Sequence, residues 1–178
     1  MGKIIFLGFP KCGTLSFYES LKIAGFKTAH YYNSDGKIIG DLISMALAEG
    51  KKLLHYVDSF DAITQMDCYR YESFICPQTL YWIFDKQYPG TKFILNTRNF
   101  SDHIRSIAYW GDLIHRMNGH IDVPAFFASH YNGVRRYFRH RDNFIEYNLD
   151  SDKEEKLSSF LGREIKLVHI NKTNYEAS

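Results

Sequence analysis

The chain has 178 residues, a length that predicts one domain. Hydrophobic residues make up 45% and charged residues 24%, which excludes disordered, collagen-like and coiled-coil chains. Twenty-two basic against 20 acidic side chains give a formal net charge of +2, so no charge bias points to nucleic acid or a membrane surface as partner. No charged leader precedes an apolar run, and no stretch approaches the roughly 18 apolar residues of a membrane span. Cys12, Cys68 and Cys76 form neither a pairing pattern nor a zinc spacing. The expectation is a cytoplasmic protein with reduced thiols and no metal; the sequence leaves its oligomeric state open.

In chain order, residues 3 to 7 read as a buried strand and Gly8 to Gly13 as a loop. A helix over Thr14–Ala24 follows, with Phe17, Leu21 and Ala24 on one face and Gly25 as its stop. Residues 27 to 31 form a short strand, 37 to 49 a helix ended by Gly50, and Phe60–Thr64 a third strand. Pro77 opens a helix that runs to Tyr88. Lys92–Asn96 is a strand, and Ser101–Met117 a helix with Ile104, Ile107, Ala108, Gly111 and Ile114 in line. A helix over Pro124–Arg139, a strand over Asn143–Tyr147 and a helix over Lys153–Leu161 complete the pattern. Alternating strands and helices predict an α/β fold of three layers, a mainly parallel sheet with helices on both faces, like that of P-loop nucleotide hydrolases. Such sheets bind ligands beyond the carboxyl ends of their strands.

Two of the loops after strands carry chemistry. Gly8-Phe9-Pro10-Lys11-Cys12-Gly13-Thr14-Leu15-Ser16 joins the first strand to a helix N-terminus. Glycines let backbone N–H groups close around an anion, and the helix end adds positive potential. Lys11 supplies a charge, and Thr14 and Ser16 supply hydroxyls. Gly8 and Gly13 match the Gly-x4-Gly part of a P-loop, but Thr14-Leu15 stands where Lys-Ser/Thr is required. In the second loop Arg98 follows a strand, and Ser106 comes eight residues later in the next helix. Arginine binds phosphate bidentately, and a serine hydroxyl completes such a site.

Pro10-Lys11-Cys12-Gly13-Thr14 resembles the 5′-phosphosulfate loop of sulfotransferases that use 3′-phosphoadenosine-5′-phosphosulfate (PAPS). The Arg98…Ser106 spacing is similar to the pair that holds the 3′-phosphate in that family. Phe60-Asp61-Ala62-Ile63-Thr64, Tyr88-Pro89-Gly90 through Leu95, and Phe160-Leu161-Gly162 through Lys172 also resemble segments of small bacterial-type members. The chain departs from the family pattern at Leu15, at Phe100, and at Gln65 and Asp67.

The resemblance implies transfer of a sulfuryl group from PAPS to a hydroxyl of a small-molecule acceptor. Pro10, Lys11, Cys12, Gly13, Thr14, Leu15, Ser16, Arg98 and Ser106 would bind the co-substrate, and Lys11 would stabilise the leaving phosphate. A base must take the acceptor's proton. His30 is the first candidate, Asp67 the second and His103 the third. Cys12 carries no covalent role. A P-loop kinase for a small metabolite and a non-catalytic nucleotide-binding module remain as alternatives.

Three further expectations follow. The basic run Arg135, Arg136, Arg139, His140, Arg141 is either a solvated face or an attractor of anions. Asn171 and Lys172 stand where they could close over the nucleotide. The 16% aromatic content divides into core rings (Phe17, Phe84, Phe127, Phe138) and rings near the site (Phe9, Tyr31, Tyr32, Tyr69, Tyr71, Tyr109, Trp110).

Overall fold

In the computed structural model, residues 2–70, 73–109 and 122–170 are described. The short apolar runs become strands β1 (Ile4–Phe6), β2 (Thr28–His30), β3 (Ala62–Gln65), β6 (Lys92–Thr97) and β7 (Phe144–Asn148). They pair in the order β2-β3-β1-β6-β7, and every pairing is parallel. Helices α1 (Thr14–Ile23), α2 (Ile39–Ala48), α3 (Tyr81–Gln87), α4 (Phe100–Tyr109), α5 (Val123–Tyr137) and α6 (Glu154–Leu161) cover the sheet. Pro77 begins a short 3₁₀ turn to Leu80, which precedes α3 rather than belonging to it.

The two-residue alternation of the strands divides the core. Ile5 and Leu7, with Phe93 and Leu95, point to one cluster, which also takes Ile43 of α2, Phe84 of α3, Ile107 of α4 and Phe127 of α5. Ile4, Phe6 and Ile94 point to the other, with Phe17 and Leu21 of α1 and Leu157 and Leu161 of α6. Helices therefore lie on both faces of a parallel sheet, as the sequence pattern requires. Among the described residues, no helix is long and apolar enough to cross a membrane.

Three expectations change. Cys68–Arg70 (β4) and Ser73–Ile75 (β5) form an antiparallel pair that the sequence reading left as loop. Each strand has only three residues, too few to show a period. Phe9, expected near the site, is fully buried and stacks on Phe127 with ring centroids 4.0 Å apart, so it is a core ring. In the basic run, Arg135 donates to both carboxylate oxygens of Glu146 and Arg141 pairs with Asp85, so two of its four arginines are committed to neighbours. The helix expected over Ser101–Met117 is described only as far as Tyr109. Its remainder, with Trp110, Gly111 and Ile114, lies outside the described residues, as do Tyr71, Asn171 and Lys172.

The chain reverses direction across the sheet between β1 and β6, with β2 and β3 on one side and β7 on the other. That switch point opens the crevice in which such sheets bind ligands. Here β1 and β6 lie so close that a Cβ on Gly8 would stand 2.2 Å from the Asn96 carbonyl oxygen. Backbone cannot yield to that contact cheaply. Gly8→Ala is expected to lower stability by about 3 kcal/mol, the upper range for overpacking. In thermal unfolding that is a fall of roughly 6–12 °C for a chain of this size; an unchanged midpoint would show that the strands can separate there.

Candidate functional site

A cavity of about 820 Å³ opens at the switch point. It is floored by the loop after β1, and His30, Tyr31, Gln65, Arg98 and Ser106 also line it. The loop's shape is set from behind. Asn96, fully buried on β6, accepts from the Gly8 N–H at 2.8 Å and donates to the Cys12 carbonyl at 3.0 Å. His130 of α5 donates through Nε2 to the Leu7 carbonyl, and His103 of α4 donates through Nε2 to the Pro10 carbonyl, both at 2.8 Å. Three buried side chains from three elements thus hold four backbone groups of one loop.

The loop ends on Gly13, whose φ of +74° lies in the left-handed region. Gly13 caps α1 without a side-chain acceptor, so no side chain takes up the first-turn N–H groups. Gly13, Thr14, Leu15 and Ser16 all line the cavity, and this is the geometry of an anion cradle. Lys11 also lines it and holds a φ of 68° despite its side chain. Its carbonyl accepts from Arg98 Nη1 at 3.3 Å, which ties the second loop to the first.

The two hydroxyls of the cradle differ. Thr14 Oγ1 donates to Gln65 Oε1 at 2.9 Å, so its proton is committed. Ser16 Oγ accepts from the Ile170 N–H at 3.2 Å, which leaves its own proton for an anion. Ile170 and His169 line the cavity as well, next to the residues expected to close over the nucleotide. Cys12 alone of residues 10–16 does not line it. Its thiol lies 3.4 Å from His103 Nε2 and 3.5 Å from the Tyr131 hydroxyl, and burial pushes its pKa up to about 12. Of the residues expected to bind the co-substrate, Cys12 therefore contributes backbone only.

Arg98 and Ser106 meet across the same cavity. Among the described residues, the buried Arg98 Nε and Ser106 Oγ have no hydrogen-bond partner. Buried polar atoms are ordinarily paired, and an orphan costs about 1–3 kcal/mol. The two atoms lie eight residues apart in sequence, on either side of the start of α4, and both residues line the cavity.

The three base candidates part company. His30 lines the cavity at the end of β2, and burial lowers its pKa to about 4, so its imidazole is neutral at physiological pH. His103 carries its Nε2 proton on the Pro10 carbonyl behind the loop and does not reach the cavity. Asp67 is buried and withdrawn behind Gln65, whose Nε2 donates to Asp67 Oδ2 at 3.2 Å. Burial raises the Asp67 pKa to about 7, against hydrogen bonds from Gln65 and Gln78 that lower it. Turning the Gln78 amide, whose Oε1 has no partner among the described residues, would let a protonated Asp67 donate to it. Among the described residues, no group of three or more His, Cys, Asp or Glu side chains is placed to hold a metal ion.

Asn96 and His130 escaped the sequence reading. His130 interrupts an apolar helix face between Phe127 and Val134, which is a signal; Asn96, beside Thr97 at the polar end of its strand, carries none. A family model of the sulfotransferase domain matches residues 3–121, a span containing β1 through α4 and both loops. The chain belongs to the sulfotransferase family. Among curated proteins, none matches the chain significantly.

Asp67 also sets a pH signature. An unfolded aspartate titrates near 3.9, below the folded value, so the native state holds the extra proton between about pH 4 and 7. The Asp67 contribution to stability therefore falls as pH rises through that window. Asp67→Asn should gain stability relative to the wild type between pH 5 and pH 8 in urea titrations; a pH-independent difference would mean that this carboxyl ionises normally.

Proposed function

We propose that the chain transfers a sulfuryl group from PAPS to a hydroxyl of a small-molecule acceptor. The observation that carries this reading is the pair of orphaned buried atoms, Arg98 Nε and Ser106 Oγ, in the same cavity as the uncapped N-terminus of α1. One cavity thus offers two separate anion sites, as a nucleotide with both a 5′- and a 3′-phosphate needs. The volume falls at the upper end of ligand pockets, leaving room beside a nucleotide. When bound, PAPS supplies the sulfuryl group and a phosphate leaving group.

The chain's own residues would act as follows. Backbone N–H groups of Gly13 to Ser16 and the Ser16 hydroxyl hold the 5′-phosphate. The Lys11 ammonium offsets charge developing on the leaving oxygen, the electrostatic contribution that dominates such transfers. Arg98 and Ser106 hold the 3′-phosphate. His30, neutral and in the cavity wall, accepts the acceptor's proton. Asp67 acts at one remove, by orienting the Gln65 amide that holds Thr14. Tyr31 and Tyr32 line the wall next to His30, and flat rings suit an apolar or aromatic acceptor. The three free cysteines fit a reducing, cytoplasmic setting.

Titration calorimetry tests the nucleotide site. 3′-Phosphoadenosine-5′-phosphate should bind in the presence of EDTA, and Arg98→Ala should weaken it more than tenfold, on the order of 1.5–3 kcal/mol for a charge-assisted contact. Magnesium-dependent binding of ATP in its place would identify a kinase. His30→Ala should abolish transfer of labelled sulfate while sparing nucleotide affinity. Nucleotide binding by the wild type without transfer to any acceptor class would reduce the chain to a binding module.

A further inference from the structure

The pairing of β2 with β3 slips by one residue beside the site. Ala29 pairs with Ile63, but His30 pairs with Gln65, so Thr64 is the extra residue of a β-bulge. Bulges beside functional sites re-aim a side chain that the regular pleat would send elsewhere. Here the Thr64 hydroxyl lies 3.1 Å from His30 Nδ1 and 3.3 Å from the Ala29 carbonyl oxygen. Thr64 is fully buried, so no solvent completes its hydrogen bonding.

The proton count leaves two arrangements of these bonds. A hydroxyl has one proton, and a carbonyl oxygen only accepts. With the Thr64 proton on the Ala29 carbonyl, Thr64 Oγ1 accepts from His30, which then carries its proton on Nδ1; with that proton on His30 Nδ1 instead, the ring is the Nε2–H tautomer. A neutral imidazole has one N–H. In the first arrangement Nε2 is the unprotonated nitrogen, with its lone pair in a side chain that lines the cavity. The opposite tautomer would leave the Ala29 carbonyl without the Thr64 proton and place an N–H where a base needs a lone pair.

We propose that Thr64 is a positioning residue: displaced by the bulge onto His30 Nδ1, it holds the imidazole as the Nδ1–H tautomer and so makes Nε2 the base. The inference rests on the sulfuryl-transfer reading for its consequence, but not for the tautomer itself. In the transfer step the acceptor's O–H proton moves to His30 Nε2 while its oxygen forms the new bond to sulfur. The bond from sulfur to the bridging 5′-phosphate oxygen breaks, and its electron pair leaves on that phosphate. The resulting imidazolium keeps Nδ1–H on Thr64 and returns the Nε2 proton to water. Unlike a carboxylate, the Thr64 hydroxyl adds no negative charge, so it orients the ring without raising its basicity.

Nitrogen-15 NMR of histidine-labelled protein without ligands tests the tautomer, with the His30 signals assigned by their loss in His30→Gln. The expected spectrum shows a protonated Nδ1 and an unprotonated Nε2 for His30; a protonated Nε2 overturns the proposal. Thr64→Val, which keeps the shape, should shift His30 toward a mixture of tautomers. With 2-naphthol, whose hydroxyl stays protonated at neutral pH, and PAPS as probes, it should lower kcat roughly tenfold to a thousandfold at little change in the donor KM. Thr64→Ser should restore both spectrum and rate, and the wild-type spectrum alone decides the tautomer if Thr64→Val fails to fold. A Thr64→Val enzyme with wild-type kcat also overturns the proposal. Absence of transfer by the wild type would count against the proposed function instead, since the spectrum decides the tautomer with no substrate present.

Discussion

The site depends on one arrangement: a backbone loop between β1 and α1 held from behind by buried polar side chains. A loop that must present its N–H groups to a ligand cannot satisfy them internally, and a buried loop must still pair its remaining groups. Asn96 pairs with one donor and one acceptor, four residues apart, so it fixes the width of the loop as well as its ends. His103 and His130 donate to the Pro10 and Leu7 carbonyls. Each of the three stands on a different element around the switch point. The position of the anion cradle is thereby coupled to the packing of β6, α4 and α5, and bonds of this kind are strong in a low-dielectric interior. The stack of Phe9 on Phe127 anchors the loop's apolar side to the same α5 that carries His130.

The same burial that strengthens these bonds strips charge from the titratable groups. Burial lowers the pKa of His30, His103 and His130 to about 4 and raises that of Asp67 to about 7. For the histidines the sign is opposite to that of Asp67. Their folded values lie below the unfolded value near 6.5, so their contribution grows as pH rises from about 4 to 6.5. Three groups against one make the native state steeply acid-sensitive. Around neutrality His30 and Gln65 contribute an uncharged imidazole and an amide to the cavity wall. Charge at the two anion sites then comes from Lys11 and Arg98, with the Asp150 carboxylate engaged by the Asn99 N–H at 2.7 Å.

Much of the fold is legible in the sequence because each long element has a period and a stop. The strand starting at Ile4, the helices on either side of Gly25 and Gly50, and the polar residues at 98 and 106 all carry local signals. What escapes is set by tertiary context. The β4–β5 pair is too short to show alternation. Phe9 lies in a glycine-containing loop and reads as a pocket ring, but a helix more than a hundred residues later covers it. Asn96 sits beside Thr97 at the polar end of its strand and His130 in an apolar helix face, and nothing local distinguishes a backbone clamp from a tolerated exception. Thr64 is the sharpest case: a threonine in a strand is ordinary, and only the slipped register gives it a partner.

The cradle's remaining wall comes from the far end of the described chain. Ser20 Oγ accepts from the Val168 N–H at 2.8 Å and donates to the Ser16 carbonyl at 2.7 Å, while Ser16 Oγ accepts from the Ile170 N–H. Two serines one helical turn apart therefore align residues 168–170 along the first turns of α1. This changes the role of Ser16. With its lone pair engaged by Ile170, the hydroxyl proton is oriented away from that backbone and is the one free to meet an anion, whereas the Thr14 proton is held by Gln65. Polarisation along such a chain strengthens each bond in turn, so an anion accepting from Ser16 would strengthen the hydrogen bond from the Ile170 N–H.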